Sequence, residues 1–293
     1  MSLVINHNLM AMNAARSLSF TYGRLATSVQ RLSSGLRVNS AQDDAAGLAV
    51  REMMRTDIRV LNQGVRNAND AISLIQTADG AFSVIDEKLT RMKELAEQAA
   101  TGTYTTSQRL IMDSEYQAMA SEITRIAMAT DFNGVKLLDG SLSGTAVDGG
   151  PGNQMKIHFG TGNSSAEDYY YIRINNSTAS ALGVGNAAAV GAGYTISTQS
   201  AAQAALEAID SAVSIKDNIR ANLGGIANRL ANTISNLSIQ AENLQSAESR
   251  ISDVDVATEM TEFTRNQVLT QAAVAMLAQA NTLPQLALKL MGA

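Results

Sequence analysis

The stretch RLSSGLRVNSAQDDAAGLAV, residues Arg31–Val50, decides how the rest of the chain is read. It carries a Ser pair, two glycines and an Asp pair, and it lies between long stretches of helical pattern. It is either a catalytic or phosphate-binding loop or a joint between two rods. Gly35 and Gly47 are too far apart for G-x-G-x-x-G, no strand pattern precedes them, and the chain holds no G-x-x-x-x-G-K-[ST]. Gly35 instead fits the left-handed residue that ends a helix. Asn39, Ser40, Asp43 and Asp44 fit an N-terminal cap for the next helix, where carboxylates face the positive end of the helix dipole. Neighbouring Asp side chains on a helix start point in different directions, which argues against a metal site. The stretch reads as a joint.

Upstream of the joint, Ala11, Ala15, Leu18, Tyr22, Leu25, Val29, Leu32 and Leu36 step by four and three, the spacing of one helical face. Downstream, Ile58, Leu61, Val65, Ala68, Ile72 and Ile75 start a second stripe. It runs on through Phe82, Leu89, Met92, Ala96 and Ala99, with Asp79 and Asp86 as polar breaks in register. That makes a helix of roughly 50 residues, about 75 Å long. TGTYTTSQ (Thr101–Gln108) reads as a connector, and Met112, Tyr116, Met119, Ile123 and Ile126 mark a third helix that ends at DFNG. From about 132 to 195 Gly, Ser and Asn rise, and MKIHF and DYYYIRI read as short strands. Helical pattern returns from Ser197, with Leu206, Ile209, Val213, Leu223, Leu230, Ile234, Leu237, Ala241, Leu244 and Ile251. SRISDVD interrupts it, and Leu269, Ala273, Met276, Ala280, Leu283, Ala287 and Leu290 form the last stripe.

The predicted fold class is therefore mainly α: a long antiparallel coiled-coil rod with a small β-hairpin insert at about 132–195, and terminal helices paired in a separate domain. The predicted boundaries put residues 1–45 and 251–293 in the terminal-helix domain, with its joint at about 33–45, and 46–250 in the long-helix domain. The two ends mirror each other. A lone pair of Ala- and Leu-rich terminal helices cannot bury all it exposes. The leftover apolar surface predicts self-association, and identical subunits joined head to tail without closure make a filament. Leu18, Leu25, Val29 and Leu32 are expected to face Met276, Leu283 and Leu290, or neighbouring copies.

Composition narrows the function. Aromatics are 4% of residues and there is no Trp, so Ala, Leu, Ile and Met carry the burial, which suits packed helices better than a deep pocket. A net charge of −5 gives no general attraction to nucleic acid or anionic lipid. The absence of Cys excludes disulfides, thiolate metal sites and Cys nucleophiles. His7 and His158 are the two histidines, too few and too isolated for a His-based triad or metal site. SDVDVATEMTE lacks the Gly and the terminal Glu of a calcium loop. Ser252 and Asp253 read there as caps, with Asp255 in the helix's first turn. Arg16, Arg24, Arg31 and Arg37 decorate the first helix and are expected to pair with acids such as Glu259 and Glu262. No cofactor and no enzymatic activity are expected. No apolar run reaches a membrane span, and MSLVINHNLMAMNAARSL has no basic start, apolar core and cleavage site of a standard secretory signal. NSS at Asn163 and NST at Asn176 match glycosylation sequons.

Several blocks together name a family. SVQRLSSGLRVNSAQDDAAGLAV resembles the N-terminal signature of bacterial flagellin, and GVRNANDAISLIQTADGA, FNGVKLL and SRISDVDVATEMTEFTRNQVLTQAAVAMLAQANTLPQ resemble its other shared blocks. The resemblance covers about 1–140 and 195–293. It implies a structural subunit of the helical flagellar filament, used for swimming. Its paired terminal helices would line a central channel, with the long helices as the surrounding shell. It implies export unfolded through a flagellar type III apparatus without a cleavable signal, a chaperone on the C-terminal helix, and contacts with filament cap and hook-junction proteins. In many members it also implies recognition by a vertebrate Toll-like receptor; the corresponding stretch is LTRMKELAEQA, with Arg91 and Leu95 retained and Glu115 at a third position. Only about 60 residues separate the helical blocks, so a hydrolase insert or a large outer domain is not expected. A hook–filament junction protein and a non-flagellar coiled-coil adaptor remain the alternatives.

Overall fold

The computed structural model describes residues 8–144, 154–165, 167–185 and 195–291, with side chains described as far as residue 282. In chain order the elements are α1 (Leu9–Ser34), α2 (Ala45–Ala100), α3 (Thr106–Ala129), β1 (Asp131–Phe132), β2 (Val135–Lys136), β3 (Met155–His158), β4 (Tyr169–Ile172), α4 (Gln199–Ser252) and α5 (Val256–Met291). The chain divides into two compact units, Arg59–Ala241 and the remainder, Met1–Ile58 with Glu242–Ala293. The divisions fall inside α2 and inside α4, both of which run on as unbroken helices.

The Arg59–Ala241 unit holds the apolar core. Along α2, Leu61, Ala68, Ala71, Ile75, Ala78, Phe82, Ile85, Leu89, Met92, Ala96 and Ala99 are buried, a heptad seam sustained over the helix. Asp79 and Asp86, which look like interruptions in sequence, sit one position off this seam. Ala78 and Ile85 point inward in their place. The two acids pair with α4: Asp79 with Arg220 at 2.7 Å, and Asp86 with Lys216. Lys93 pairs with Asp210 further along, so the partners advance on α2 as they retreat on α4, and the helices are antiparallel. Lys216 occupies a seam position of α4 between the buried Ala212 and Ile219, and is itself buried. Asp86 and Asp217, the latter at 3.0 Å, balance its charge. A buried charge left unpaired would be strongly destabilising, so this lysine fixes one register for the helix pair.

α3 packs Tyr116, Ala120, Ile123 and Ala127 into the same core. Burial, with nearby Asp113 adding to it, raises the Tyr116 phenol above its ordinary range. The helix begins at Thr106, inside the expected connector, because Thr105 and Gln108 form a reciprocal capping box. Arg109 in the first turn reaches back to the carbonyls of Ala99 and Thr101 at 2.8 and 2.7 Å. A cation there satisfies orphan carbonyls at the end of α2 and fixes the corner between the helices.

The β insert is two small antiparallel hairpins, β1–β2 and β3–β4. Asn133 and Gly134 both have positive φ, 52° and 81°, the geometry that a tight two-residue Asn-Gly turn requires. In the second hairpin Met155 pairs with Ile172 and Ile157 with Tyr170, and all four join or flank the core. Lys156, His158, Tyr169 and Tyr171 alternate onto the other face, where Lys156 Nζ lies 3.6 Å from the Tyr169 ring centroid. The hairpin end is fastened to α2: Asn67 Nδ2 donates to the His158 carbonyl at 2.8 Å, and Gly64 lies against Phe159. A Cβ at Gly64 would meet the Phe159 carbonyl oxygen at 2.1 Å.

The other unit pairs α1 with α5, antiparallel, since Asn8 Nδ2 donates to the Ala280 carbonyl at 2.8 Å while Arg31 meets Glu259 at 3.6 Å. Its seam is Ala11, Ala14, Leu18, Thr21, Leu25, Ser28 and Leu32 against Glu259, Phe263, Asn266, Thr270, Ala273, Leu277 and Ala280. Among the described residues, Val38 and Ala280 are the only buried apolar side chains of this unit. The other buried side chains described there, Ser28, Arg51, Ser252, Glu259 and Asn266, are polar. Arg31 Nε and Asn266 Oδ1 have no hydrogen-bond partner.

The Gly64 contact gives a direct check. Gly64→Ala is expected to lower unfolding stability by about 1–3 kcal/mol, the usual cost of overpacking, read from urea denaturation. Stability equal to the unsubstituted chain would mean that the hairpin end is not held against α2.

Candidate assembly surface and its joints

The two joints meet. Gly35 ends α1 in the left-handed conformation, φ 72°, and its N–H donates to the Arg31 carbonyl at 2.8 Å. Leu36 then forms an antiparallel bridge with Asp253. Arg37 N–H donates to Ser252 O at 2.7 Å and Val254 N–H donates to Gly35 O at 3.0 Å. The Arg37 guanidinium adds a bond to Ile251 O at 2.8 Å. The segments that interrupt the two helical patterns are thus one short β contact, which satisfies backbone groups that the helix ends leave open.

Of the expected caps, Asp44 takes that place on α2, whereas the cap of α5 lies two positions beyond Asp253. The N-cap of α2 is Asp44, whose Oδ1 accepts from Gly47 N at 2.9 Å. Asn39 and Asp43 do not cap the helix. Asp43 Oδ2 closes the turn before it, accepting from the backbone N–H of Asn39 at 3.2 Å and of Ser40 at 3.0 Å, and from the Ser40 hydroxyl at 3.1 Å. Asn39 Nδ2 donates back to Leu36 O at 3.2 Å. Ser252 is the last residue of α4, and Asp253 accepts from the Ser249 hydroxyl at 2.7 Å, so neither caps α5. That cap is Asp255, just ahead of the helix rather than in its first turn. It accepts from Ala257 N at 3.0 Å and from the Thr258 hydroxyl at 2.7 Å. In both joints several Ser, Asp and Asn residues suit a cap, and tertiary pairing of the joints decides which one does it. Arg51 was not singled out in the sequence. It is buried under the first joint and donates to Val38 O at 2.9 Å.

The terminal helices present apolar residues on the sides that their mutual seam leaves uncovered. Leu18, Leu25 and Leu32 lie half-buried in the seam. Val29 is 49% exposed and Met276 65% exposed, so neither faces the opposite helix of its own chain. The seam takes Ser28 and Leu277 instead, one position over. Phe20 and Tyr22 on α1, with Val268, Leu269 and Val274 on α5, are exposed as well. A shallow groove of about 560 Å³ follows α5 past Met260, Thr264, Val268 and Leu269. Arg31 does pair with Glu259, whereas Glu262 pairs with Arg265 of its own helix. The side chains of Leu283 and Leu290, like all of His7, lie outside the described residues.

In the Leu89–Ala99 stretch, Arg91 and Glu115 form an exposed ion pair at 2.8 Å. The hydrogen bond to Glu115, then that to Glu94, raises the Arg91 guanidinium above its ordinary value. Leu95 is a correction: at 2% exposure it belongs to the core, because the α2 seam turns Met92, Leu95, Ala96 and Ala99 inward. It cannot touch a partner on the surface. Among the described residues no three metal-binding His, Cys, Asp or Glu side chains come together, and no helix is long and apolar enough to cross a membrane.

Residues 5–143 match the bacterial flagellin N-terminal helical region and residues 206–291 match the bacterial flagellin C-terminal helical region. The chain is 43% identical to a flagellin of Bacillus subtilis, with 98% of this chain and 99% of that one covered. It is 41% identical to flagellin FlaB1 of Treponema pallidum, over 97% of this chain and 98% of that one. The chain belongs to the bacterial flagellins. As a flagellin it is a structural subunit of the flagellar filament, not an enzyme. A solved structure of a putative flagellar hook-associated protein from Vibrio parahaemolyticus covers 72% of this chain and all of its own. It has a TM-score of 0.55 and is 16% identical, a likeness of fold alone. The junction-protein alternative therefore gives way to the full-length match with flagellins.

Both joints of this flagellin depend on carboxylates. Hydrogen bonds from Ser40, first its backbone N–H and then its hydroxyl, hold Asp43 below the usual Asp value. The Thr258 hydroxyl, then the Thr258 and Ala257 amides, do the same for Asp255. A lowered folded-state value stabilises fully above the unfolded value, about 3.9 for Asp, and that contribution is lost as pH falls through the folded value. Amide exchange at Ala257 and Thr258, corrected for intrinsic rates, is therefore expected to speed up as pH drops below about 4. Asp255→Asn should flatten that dependence. Unchanged protection down to about pH 2 would contradict the role given to the cap.

Proposed function

We propose that the unit built from α1 and α5 is the polymerising part of this filament subunit and that the long-helix unit forms the shell around it. The supporting observation is the contrast in burial between the two units. The long-helix unit has a full apolar core of its own, whereas the α1–α5 seam buries polar residues and leaves large apolar ones outside. Two helices carrying Phe20, Tyr22, Val29, Val268 and Met276 on open faces bury that surface by packing against further copies. Leu18, Leu25 and Leu32 hold α1 to α5 within the chain, and Val29 and Met276 contact neighbours.

The same reading covers the finer partners. The flagellin is exported unfolded through a flagellar type III apparatus, with a chaperone covering α5 before assembly, and reaches the cell exterior. Cap and hook-junction proteins meet the ends of the filament it builds. Within the receptor-like stretch, the exposed Arg91–Glu115 pair is the part available to a Toll-like receptor, with Leu95 supporting it from beneath.

Val29→Asp and Met276→Asp test the assignment cleanly, because both side chains are exposed in the single chain. Each is expected to change monomer stability by no more than about 0.5 kcal/mol, as for surface substitutions generally, yet to stop elongation from filament seeds seen by electron microscopy. Filaments of normal length from both variants would overturn it.

A further inference from the structure

We propose that Met10, Met12, Met260 and Met276 are oxidation sites, and that their conversion to sulfoxides by a peroxide holds this flagellin in its unassembled form until a reductase reverses it. The proposal rests on the reading of α1 and α5 as the polymerising part. Among the described residues six methionines are exposed, and five of them, Met10, Met12, Met53, Met260 and Met276, belong to the unit that contains α1 and α5. Met128 on α3 is the sixth. In the long-helix unit Met92 is fully buried, and Met112, Met119 and Met155 pack partly buried against the core.

Met12 follows Asn8 by about one helical turn, Met276 precedes Ala280 by about one turn, and Asn8 is hydrogen-bonded to Ala280. The antiparallel pair therefore holds Met10, Met12 and Met276 near one level, outside the shared seam. Met260 stands toward the other end of the pair, in the shallow groove with Thr264, Val268 and Leu269. A small reagent reaches all four side chains in the free subunit. A polymer that covers these faces shuts it out.

The chain has no Cys and no Trp, so its thioethers are the side chains most open to dilute peroxide. The sulfur lone pair attacks one peroxide oxygen. The O–O bond breaks, an S–O bond forms, the sulfur gives up two electrons, and the other oxygen leaves as water. Two thiols of a reductase return the electrons, becoming a disulfide and releasing the sulfoxide oxygen as water. In the free subunit a sulfoxide at these positions stays hydrated. In an interface it is buried, and exposed neighbours such as Val268, Leu269 and Val274 offer no side-chain donor. An acceptor buried without a donor penalises the assembled state alone.

The test treats monomer with dilute hydrogen peroxide, maps sulfoxides by peptide mass spectrometry and follows elongation on seeds by electron microscopy. Met10, Met12, Met260 and Met276 are expected to oxidise while Met92 does not. Elongation should fall roughly tenfold or more, and methionine sulfoxide reductases with dithiothreitol should restore it. In assembled filaments the same four residues are expected to be protected. A chain carrying Met10→Leu, Met12→Leu, Met260→Leu and Met276→Leu, swaps that conserve volume, keeps Met53 and Met128 oxidisable and should elongate equally with and without peroxide. Normal elongation of the oxidised monomer would overturn the proposal, as would loss of elongation when the Leu chain meets peroxide. If the Leu chain fails to elongate untreated, the map of the unsubstituted chain decides, and equal oxidation in monomer and filament overturns the proposal. Should Val29→Asp and Met276→Asp both polymerise normally, the assembly reading itself fails; should they block elongation while the oxidised monomer elongates, this inference alone does.

Discussion

Two antiparallel helices have one shared seam, and each has far more surface than a seam can cover. That constraint governs the terminal unit. In α1 and α5 the shared line holds Ser28, Thr21, Glu259, Asn266 and Thr270 among its apolar members, and Asn266 Oδ1 in it and Arg31 Nε beside it have no hydrogen-bond partner. An unsatisfied buried polar group costs about 1–3 kcal/mol, as much as a buried aliphatic side chain contributes. The apolar residues that would make a better seam point elsewhere. On the proposed reading, a pair built this way gains burial from identical neighbours, which couples the order of the terminal helices to polymerisation.

The long-helix unit is built to the opposite specification. Its heptad seam, the hairpins and α3 close a core in a single chain. The charges that break the apolar stripe fix its register, through Asp79 with Arg220, Asp86 with Lys216 and Lys93 with Asp210. Arg109 locks the α2–α3 corner and Gly64 admits the hairpin end against α2. Such a unit folds once and then presents fixed surfaces, which a regular lattice needs from its building block. The bridge between Leu36 and Asp253, with the bonds of Gly35 and Arg37 beside it, ties the two joints to one β contact.

Helix order, the location of the joints, both hairpins and the family were legible in the sequence because each rests on a local signal: period, Gly placement, strand alternation and long shared blocks. The phase of each stripe was not. A period near 3.5 allows two apolar lines one residue apart, and the partner helix chooses between them. Thus Val29 and Met276 fall outside the seam, Ser28 and Leu277 inside it, and Asp86 beside the core rather than across it. Leu95 follows the same rule: a charged neighbourhood in sequence conceals an inward-facing position. Which of the candidate residues would cap was not legible, for a related reason. Joints rich in Ser, Asp and Asn offer several acceptors, and the bridge between Leu36 and Asp253 leaves Asp44 and Asp255 nearest the open amides.

The central claim is that α1 and α5 acquire their stability from neighbouring copies while the long helices do not. Amide hydrogen exchange in free monomer and in assembled filament tests it most directly. The Arg59–Ala241 core amides are expected to be protected in both states, with α1 and α5 amides exchanging quickly in monomer and at least a hundredfold more slowly in filament, about 2.7 kcal/mol of added local stability. Equal protection of α1 and α5 in the two states would contradict it.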